Sequence, residues 1–501
     1  MLPRVFCSGL ASSVLIAGLA ACAVGPQFKR PEAPAATDYG VASSPQQTVS
    51  VEGPAGDSQR FVAGLDIAGQ WWTLFQSPKL TRLVEDALRA NPNMAEAEAA
   101  LRQAHELTSA QRAGFFPTVQ ASLSAQRAKN ASGTIAPPTV LVDPVYALYT
   151  PQLSLSYAPD VFGATRRAVE AARAEEEASR FQLEAAYVTL SSNVVVTVVQ
   201  EASLRGQIAA TGRLLQLQHD LTENMRRRRA LGTASELDLL QQQSAEAQTA
   251  ATLPPLQKQL GQTRDALTAL LGRLPSNEPQ ETFELSDLTL PTELPVSLPS
   301  RLVAQRPDVR QAEENLHAAS AQVGVALAAM LPQFTISANT GSAALEIGRL
   351  FSPYTGFWSA GASLSQTLFD GGALLHRRRA ADAALDAAAA QYRAAVILAC
   401  QNVADTLRAL QADADALKAS SEADRAARVT LELAQLQYKL GAISFVAVMN
   451  AEESYQQAEV ALVQARANRY SDTAGLFQSL GGGWWNRPGE ALDEQPRSTV
   501  R

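Results

Sequence analysis

The chain has 501 residues, with 42 Lys and Arg against 49 Asp and Glu, a formal net charge of −7, and only four histidines. That balance argues against a nucleic-acid partner. His105, His219, His317 and His376 show no metal-ligand spacing, and neither a phosphate-cradling glycine loop nor a Gly-x-Ser-x-Gly elbow occurs. No enzyme, no cofactor and no metal are therefore expected.

Residues 1–21 read as a lipoprotein signal peptide. Arg4 gives a basic start, Val5 to Ala17 is mostly apolar, and Leu19-Ala20-Ala21-Cys22 fits a lipobox that makes Cys22 the acylated first residue. Ala23 follows rather than an aspartate, so nothing favours retention at the inner membrane. With Cys7 removed and Cys22 acylated, Cys400 remains alone and no internal disulfide framework is possible. Residues 22–59, rich in Pro, Ala, Ser and Thr, read as a lipid-anchored tether without a core-forming pattern. No later stretch offers eighteen consecutive apolar residues, so no transmembrane helix is expected.

Each half then begins with a short helix, from Leu80 to about Ala113 and from Arg301 to about Met330. Period-two runs follow at about 116–127 and 148–158, and again at about 332–341 and 357–368. Val119, Ala121 and Leu123 alternate with Gln120, Ser122 and Ser124. Such alternation suits strands between lipid and water, or a half-buried soluble sheet. Four strands cannot enclose a lumen, and lipid offers no partners to open edges. If they span a membrane the chain oligomerises: a dimer of eight strands leaves little channel, a trimer of twelve leaves a passage.

Behind each strand pair stands an Asp/Phe/Gly turn, Asp160-Val161-Phe162-Gly163 and Phe369-Asp370-Gly371-Gly372, and then about seventy residues without proline. Helices over 163–231 and 371–440 would each be roughly 100 Å long. Leu385, Ala389, Tyr392, Val396, Ala399 and Val403 step at coiled-coil spacing; Leu183, Leu190, Val194, Thr197 and Leu204 do so more loosely. A four-helix bundle or a solvated coiled coil fits this pattern as well. Both helices end at Leu-Gly turns, Leu231-Gly232 and Leu440-Gly441, and return as helices over 233–271 and 442–480. The interval from Gly232 to Gly441 equals that from Gly272 to Gly481, as in a tandem duplication. The repeats are placed at 60–272 and 301–480. An equatorial linker at 273–300 joins them, and a tail occupies 481–501; residues 60–79, the linker and the stretch after Gly481 are expected to form a belt.

Several stretches together carry a family resemblance: Trp71-Trp72-Thr73-Leu74-Phe75, Leu80-Thr81-Arg82-Leu83, Ala90-Asn91-Pro92-Asn93, Arg306-Pro307-Asp308-Val309 with Ala312-Glu313, and the two Leu-Gly turns. Over essentially the whole mature length the chain resembles the TolC superfamily, in its OprM/NodT-type lipoprotein branch. The resemblance implies an α+β membrane protein. Its homotrimer forms a twelve-stranded β-barrel, four strands per chain, continued by a periplasmic coiled-coil tunnel. It implies an outer-membrane exit channel in Gram-negative bacteria that passively conducts drugs or other small toxic molecules. The implied partners are outer-membrane lipid, a periplasmic adaptor (a membrane fusion protein) and an inner-membrane RND pump.

By the same resemblance Gly232 and Gly441 turn the chain at the periplasmic tip, which closes like an iris. Tyr438 and Asp238 are candidates for a hydrogen-bonded latch. Asn450 stands where an acid is expected, and Ala447 one turn earlier. Glu452 or Glu453 could supply charge nearby, leaving Val446 and Met449 as a hydrophobic gate or as ordinary interhelix packing. Arg226, Arg227, Arg228 and Arg229 read as a solvated helix end meeting the dipole, or as an adaptor contact. The alternatives are a lipid-anchored structural or adhesin coiled coil, and the duct of a type I secretion exporter.

Overall fold

The computed structural model describes residues 23–36, 38–39, 46–129 and 145–487. The signal peptide, Cys22, most of the 129–146 loop and the tail from residue 488 lie outside the described residues. The first half runs β1 (Arg60–Ala63), α1 (Pro78–Ala90), α2 (Pro92–Arg112), β2 (Thr118–Lys129), β3 (Val145–Tyr157), α3 (Ala164–Ala230) and α4 (Glu236–Leu270). The second runs β4 (Glu293–Val296), α5 (Pro299–Gln305), α6 (Pro307–Ala328), β5 (Gln333–Ser342), β6 (Gly356–Ser365), α7 (Ala373–Lys439) and α8 (Phe445–Ser479). Helices α3 and α7 each have 67 residues, and α4 and α8 each have 35.

Two compact units divide the chain, one of residues up to 30 with 102–178 and 313–391, the other of 31–101 with 179–312 and from 392 onward. In the first, the sheet order is β2-β3-β5-β6 and every pairing is antiparallel. Val119 faces Leu155, Leu155 faces Ala338, Ile336 faces Ala362, and Phe334 faces Leu364. Gln120, Ser154 and Asn339 line up in the same way, as do Ser156, Ser337 and Gly361. Directly paired residues share a face, so one face is apolar across all four strands and the other polar. Val119, Leu123, Trp358 and Leu364 are exposed on the single chain. Among the described residues both outer edges, on β2 and β6, are unpaired, and the sheet is open.

The Asp/Phe/Gly turns start the long helices. Asp160 accepts hydrogen bonds from the Thr165 and Arg166 backbone N–H groups at 2.9 and 3.0 Å. Asp370 accepts from those of Gly372 and Leu374 at 2.9 and 2.8 Å. These are donors a helix start leaves orphaned, and the Leu374 N–H, the strongest of several, holds the Asp370 carboxyl below its ordinary value.

The segment expected to be a plain tether makes specific contacts in this unit. Val24 N–H donates to the Phe162 carbonyl at 3.1 Å, Arg167 Nε donates to the Val24 carbonyl at 3.1 Å, and Arg30 pairs with buried Glu313 at 2.9 Å. Phe28 stacks on His317 with centroids 4.3 Å apart. Polar and single-ring contacts of this kind leave no hydrophobic period to read.

In the second unit, Tyr392, Ala399, Val403, Leu410, Ala414 and Leu417 of the coiled-coil stripe are buried. Each expected short helix is in fact two, divided at Asn91-Pro92 and Arg306-Pro307. Pro clashes with a helical residue before it, and Asn91 and Arg306 are extended, with ψ of 127 and 122°. The same residues hold the returning helices. Asn91 Nδ2 donates to the Leu270 carbonyl at 2.8 Å, and Arg306 Nη1 to the Ser479 carbonyl at 3.0 Å.

The belt residues pack together here: β1 pairs in parallel with β4, Trp71 stacks on Phe477 at 5.3 Å, and the Tyr470 hydroxyl donates to the Leu288 carbonyl at 2.9 Å. Helix α4 contains Pro254 and Pro255. By length and composition α3 and α7 each hold an 18-residue window apolar enough to cross a membrane, of mean hydropathy 1.2. Core helices meet that test too; half of the α3 window is buried, against 11% of the α7 window.

Candidate gate at the helix turns

Both Leu-Gly turns, at Gly232 and Gly441, close by the same hydrogen bonds. Gly232 N–H donates to the Arg229 carbonyl and Thr233 N–H to that of Arg228, each at 2.8 Å; Gly441 and Ala442 donate to Tyr438 and Gln437 at 3.0 and 2.9 Å. This is the Schellman arrangement, which needs a left-handed residue after the last helical turn. Gly232 and Gly441 supply it at φ of 76 and 77°. The returning helix α4 is capped by Ser235, whose Oγ accepts from the Asp238 N–H at 3.0 Å.

Just inside the turns one cluster draws from all four helices: Met225 of α3, Leu239 of α4, Leu431 and Ala434 of α7, and Phe445, Val448 and Ala451 of α8. Tyr438 leans on it. Its ring lies 5.3 Å from that of Phe445, its hydroxyl donates to Met225 Sδ at 3.8 Å, and the Arg228 guanidinium sits over its face at 5.2 Å. The expected Tyr438–Asp238 hydrogen bond is not made within the chain; Asp238 is half-buried and engaged through its backbone N–H. Within the chain the Tyr438 hydroxyl is turned to Met225 instead.

The other gate candidates also part company. Val446 and Asn450 are exposed, whereas Met449 is half-buried against the cluster. Met449 packs against the cluster and also lines an open groove, while Val446 presents apolar surface. Glu453 is exposed, but Glu452 is 1% exposed and supplies no surface charge. Its spacing from Phe445, Val448 and Tyr455, by threes and fours, sets it on their face of α8, but only the packing of α3 and α4 over that face buries it. Among the arginines, Arg226 pairs with Glu223, Arg229 with Glu236, and Arg228 with Tyr438. Arg227 is exposed. Of these contacts only Arg229–Glu236 spans the turn.

Residues 83–273 and 298–482 match the family model described as outer membrane efflux protein. The pyoverdine export outer membrane protein OpmQ of Pseudomonas putida is 30% identical over 83% of this chain and 88% of its own. The probable efflux pump outer membrane protein TtgC of the same species is 29% identical over 96% and 97%. The solved structure of the outer-membrane channel OprN superposes with a TM-score of 0.81 at 28% identity, covering 92% of this chain and all of that one.

Proposed function

Because the chain belongs to the outer membrane efflux protein family, we propose that three copies join β6 of one to β2 of the next, closing a twelve-stranded barrel. The chain is the outer-membrane component of an efflux system; the trimer, its lipid anchor at Cys22 and its partners are this proposal's own. One observation carries it: a four-stranded sheet with an apolar face, a polar face and two unpaired edges. In lipid such edges must be paired, and a repeated edge-to-edge union leaves none.

The long hairpins would extend into the periplasm, with Gly232 and Gly441 at the tip that meets the adaptor of an RND pump. Closure there would rest on the four-helix cluster and Tyr438. Asp238, Val446 and Asn450 would line the constriction, and Met449 would back it. Cargo selection would fall to the pump and adaptor, with small toxic molecules as the expected class. OpmQ is named for pyoverdine export and TtgC for an efflux pump.

The test is the mass of the detergent-extracted particle by size exclusion with light scattering, joined to conductance in planar bilayers. A trimer that forms channels is expected. A monomer, or a particle released without detergent, would overturn the proposal.

A further inference from the structure

Next to the tip cluster α8 buries a carboxyl group that has almost nothing to bind. Glu452 accepts one hydrogen bond, from Gln218 Nε2 of α3 at 3.4 Å, and its Oε1 has no partner. Gln218 Oε1 and Gln242 Oε1 are also buried without partners. Gln242, on α4, donates its amide N–H to the Gln218 backbone carbonyl at 3.2 Å. One line of contacts therefore joins α4, α3 and α8 and leaves three acceptor oxygens that no donor meets. A carboxylate in this place is poorly supported. A proton on it would add the missing donor, and the glutamine carbonyl oxygens are the acceptors at hand.

The charged groups on the packed helices are engaged elsewhere. On α3, His219 meets Glu246 of α4 at 2.9 Å and Glu223 meets Arg226. On α7, Asp424 pairs with Arg428 at 2.5 Å, and Tyr438 binds Met225. On α8, Glu459 pairs with Arg213 at 2.5 Å, Glu453 is exposed, and Tyr455 packs on the cluster. With no cation among the described residues to answer it, burial pushes the Glu452 carboxyl up to about 7, against a small opposing effect of Gln218.

The helix at the far end of this line has a weak point. Pro254 and Pro255 remove two N–H donors within α4, so the carbonyls of Ala250 and Ala251 lose their helical partners. Beside them a groove of about 790 Å³ separates α4 from α8, lined by Gln248, Thr252, Pro255, Asn450, Glu453 and Gln457 among others. α8 contains no proline. The part of α4 nearest the turn is held by Leu239 in the cluster, by the Thr222–Glu246 hydrogen bond at 2.6 Å, and by Gln242.

We propose that Glu452 is a proton-operated latch. When neutral it binds α8 to α3 and, through Gln218 and Gln242, steadies residues 236–253 of α4. When ionised it lets that segment swing about Pro254-Pro255. This rests on the reading that the turns form the gate.

The experiment uses the full-length trimer in two measurements. In planar bilayers between pH 5.5 and 8.5, closed-state conductance should rise about tenfold with a midpoint near pH 7, the factor that one unit of pKa difference between shut and open states supplies. Amide exchange of residues 236–253, corrected for its chemical rate, should rise over the same range. E452Q should stay low and flat in both. Gln242→Leu should flatten the α4 exchange profile, because it detaches α4 while leaving the carboxyl. His219 titrates alike in wild type and E452Q, so its contribution cancels. Channels whose wild-type and E452Q profiles coincide would overturn the latch. A particle that forms no channel at all would overturn the gate reading instead.

Discussion

Gly272 and Gly441 occupy the same place in the same Leu-Gly motif, yet alanine should cost very different amounts at the two. Both are left-handed, at φ of 68 and 77°, and an L-residue there loses about 1–2 kcal/mol. At Gly441 nothing lies within 4 Å of an added Cβ, so that is the whole cost. At Gly272 the Cβ would meet the Ala90 carbonyl oxygen at 2.3 Å and its carbon at 2.9 Å, closer than atoms can stand. The backbone must move, which adds roughly 1–3 kcal/mol of overpacking. It also strains the Asn91–Leu270 hydrogen bond beside it, worth about 1 kcal/mol. Gly272→Ala should therefore lose about 4 kcal/mol in all against about 1–2 for Gly441→Ala. Urea titration of the detergent-extracted protein, followed by helical circular dichroism, measures the difference. Equal losses, or a larger one for Gly441→Ala, would refute the argument that packing against Ala90 sets the cost.

Leu410, fully buried in the α7 stripe, should lose about 2–5 kcal/mol on truncation to alanine, read by the same titration. Tyr438→Phe removes only a long contact to sulfur and should leave closed-state conductance nearly unchanged. Tyr438→Ala also removes the ring from Phe445 and Arg228, and should raise it; the reverse order would place the latch on the hydroxyl.

His317 gives a pH test of the N-terminal contacts. Burial lowers its pKa, but hydrogen bonds with Glu170 and Glu314 outweigh that and raise it to about 9. A raised histidine contributes stability that is complete below its ordinary value of 6.5 and lost as pH rises through about 9. Residues 23–30, which hold Phe28 on His317, should become open to proteolysis above pH 9. His317→Gln should show that sensitivity already at pH 7. A wild-type cleavage rate that stays flat from pH 7 to 10 would count against the coupling.

Period and punctuation were enough to place the long elements. Alternation marked β2, β3, β5 and β6 to within a few residues, and the Leu-Gly and Asp/Phe/Gly turns bounded all four long helices, because caps and left-handed turns are local chemistry. Asn91-Pro92 and Arg306-Pro307 were visible as motifs, but their work was not. That Asn91 and Arg306 each hold the last turn of a returning helix depends on atoms 179 and 173 residues away. Likewise Tyr438, Asp238, Val446 and Met449 all fall beside the turns, as the motif implied. Which of them packs, which binds sulfur and which meets solvent was decided by how four helices share one cluster.

The chain by itself determined its helix and strand lengths, its matched halves and its family, since these follow from hydrophobic period and local capping. Tertiary structure alone decided where charge is tolerated. Glu452 reads as one more surface acid beside Glu453, and becomes a buried, nearly unpartnered carboxyl because α3 and α4 close over its side of α8. Desolvation is a property of the surrounding helices, and no single helix encodes it.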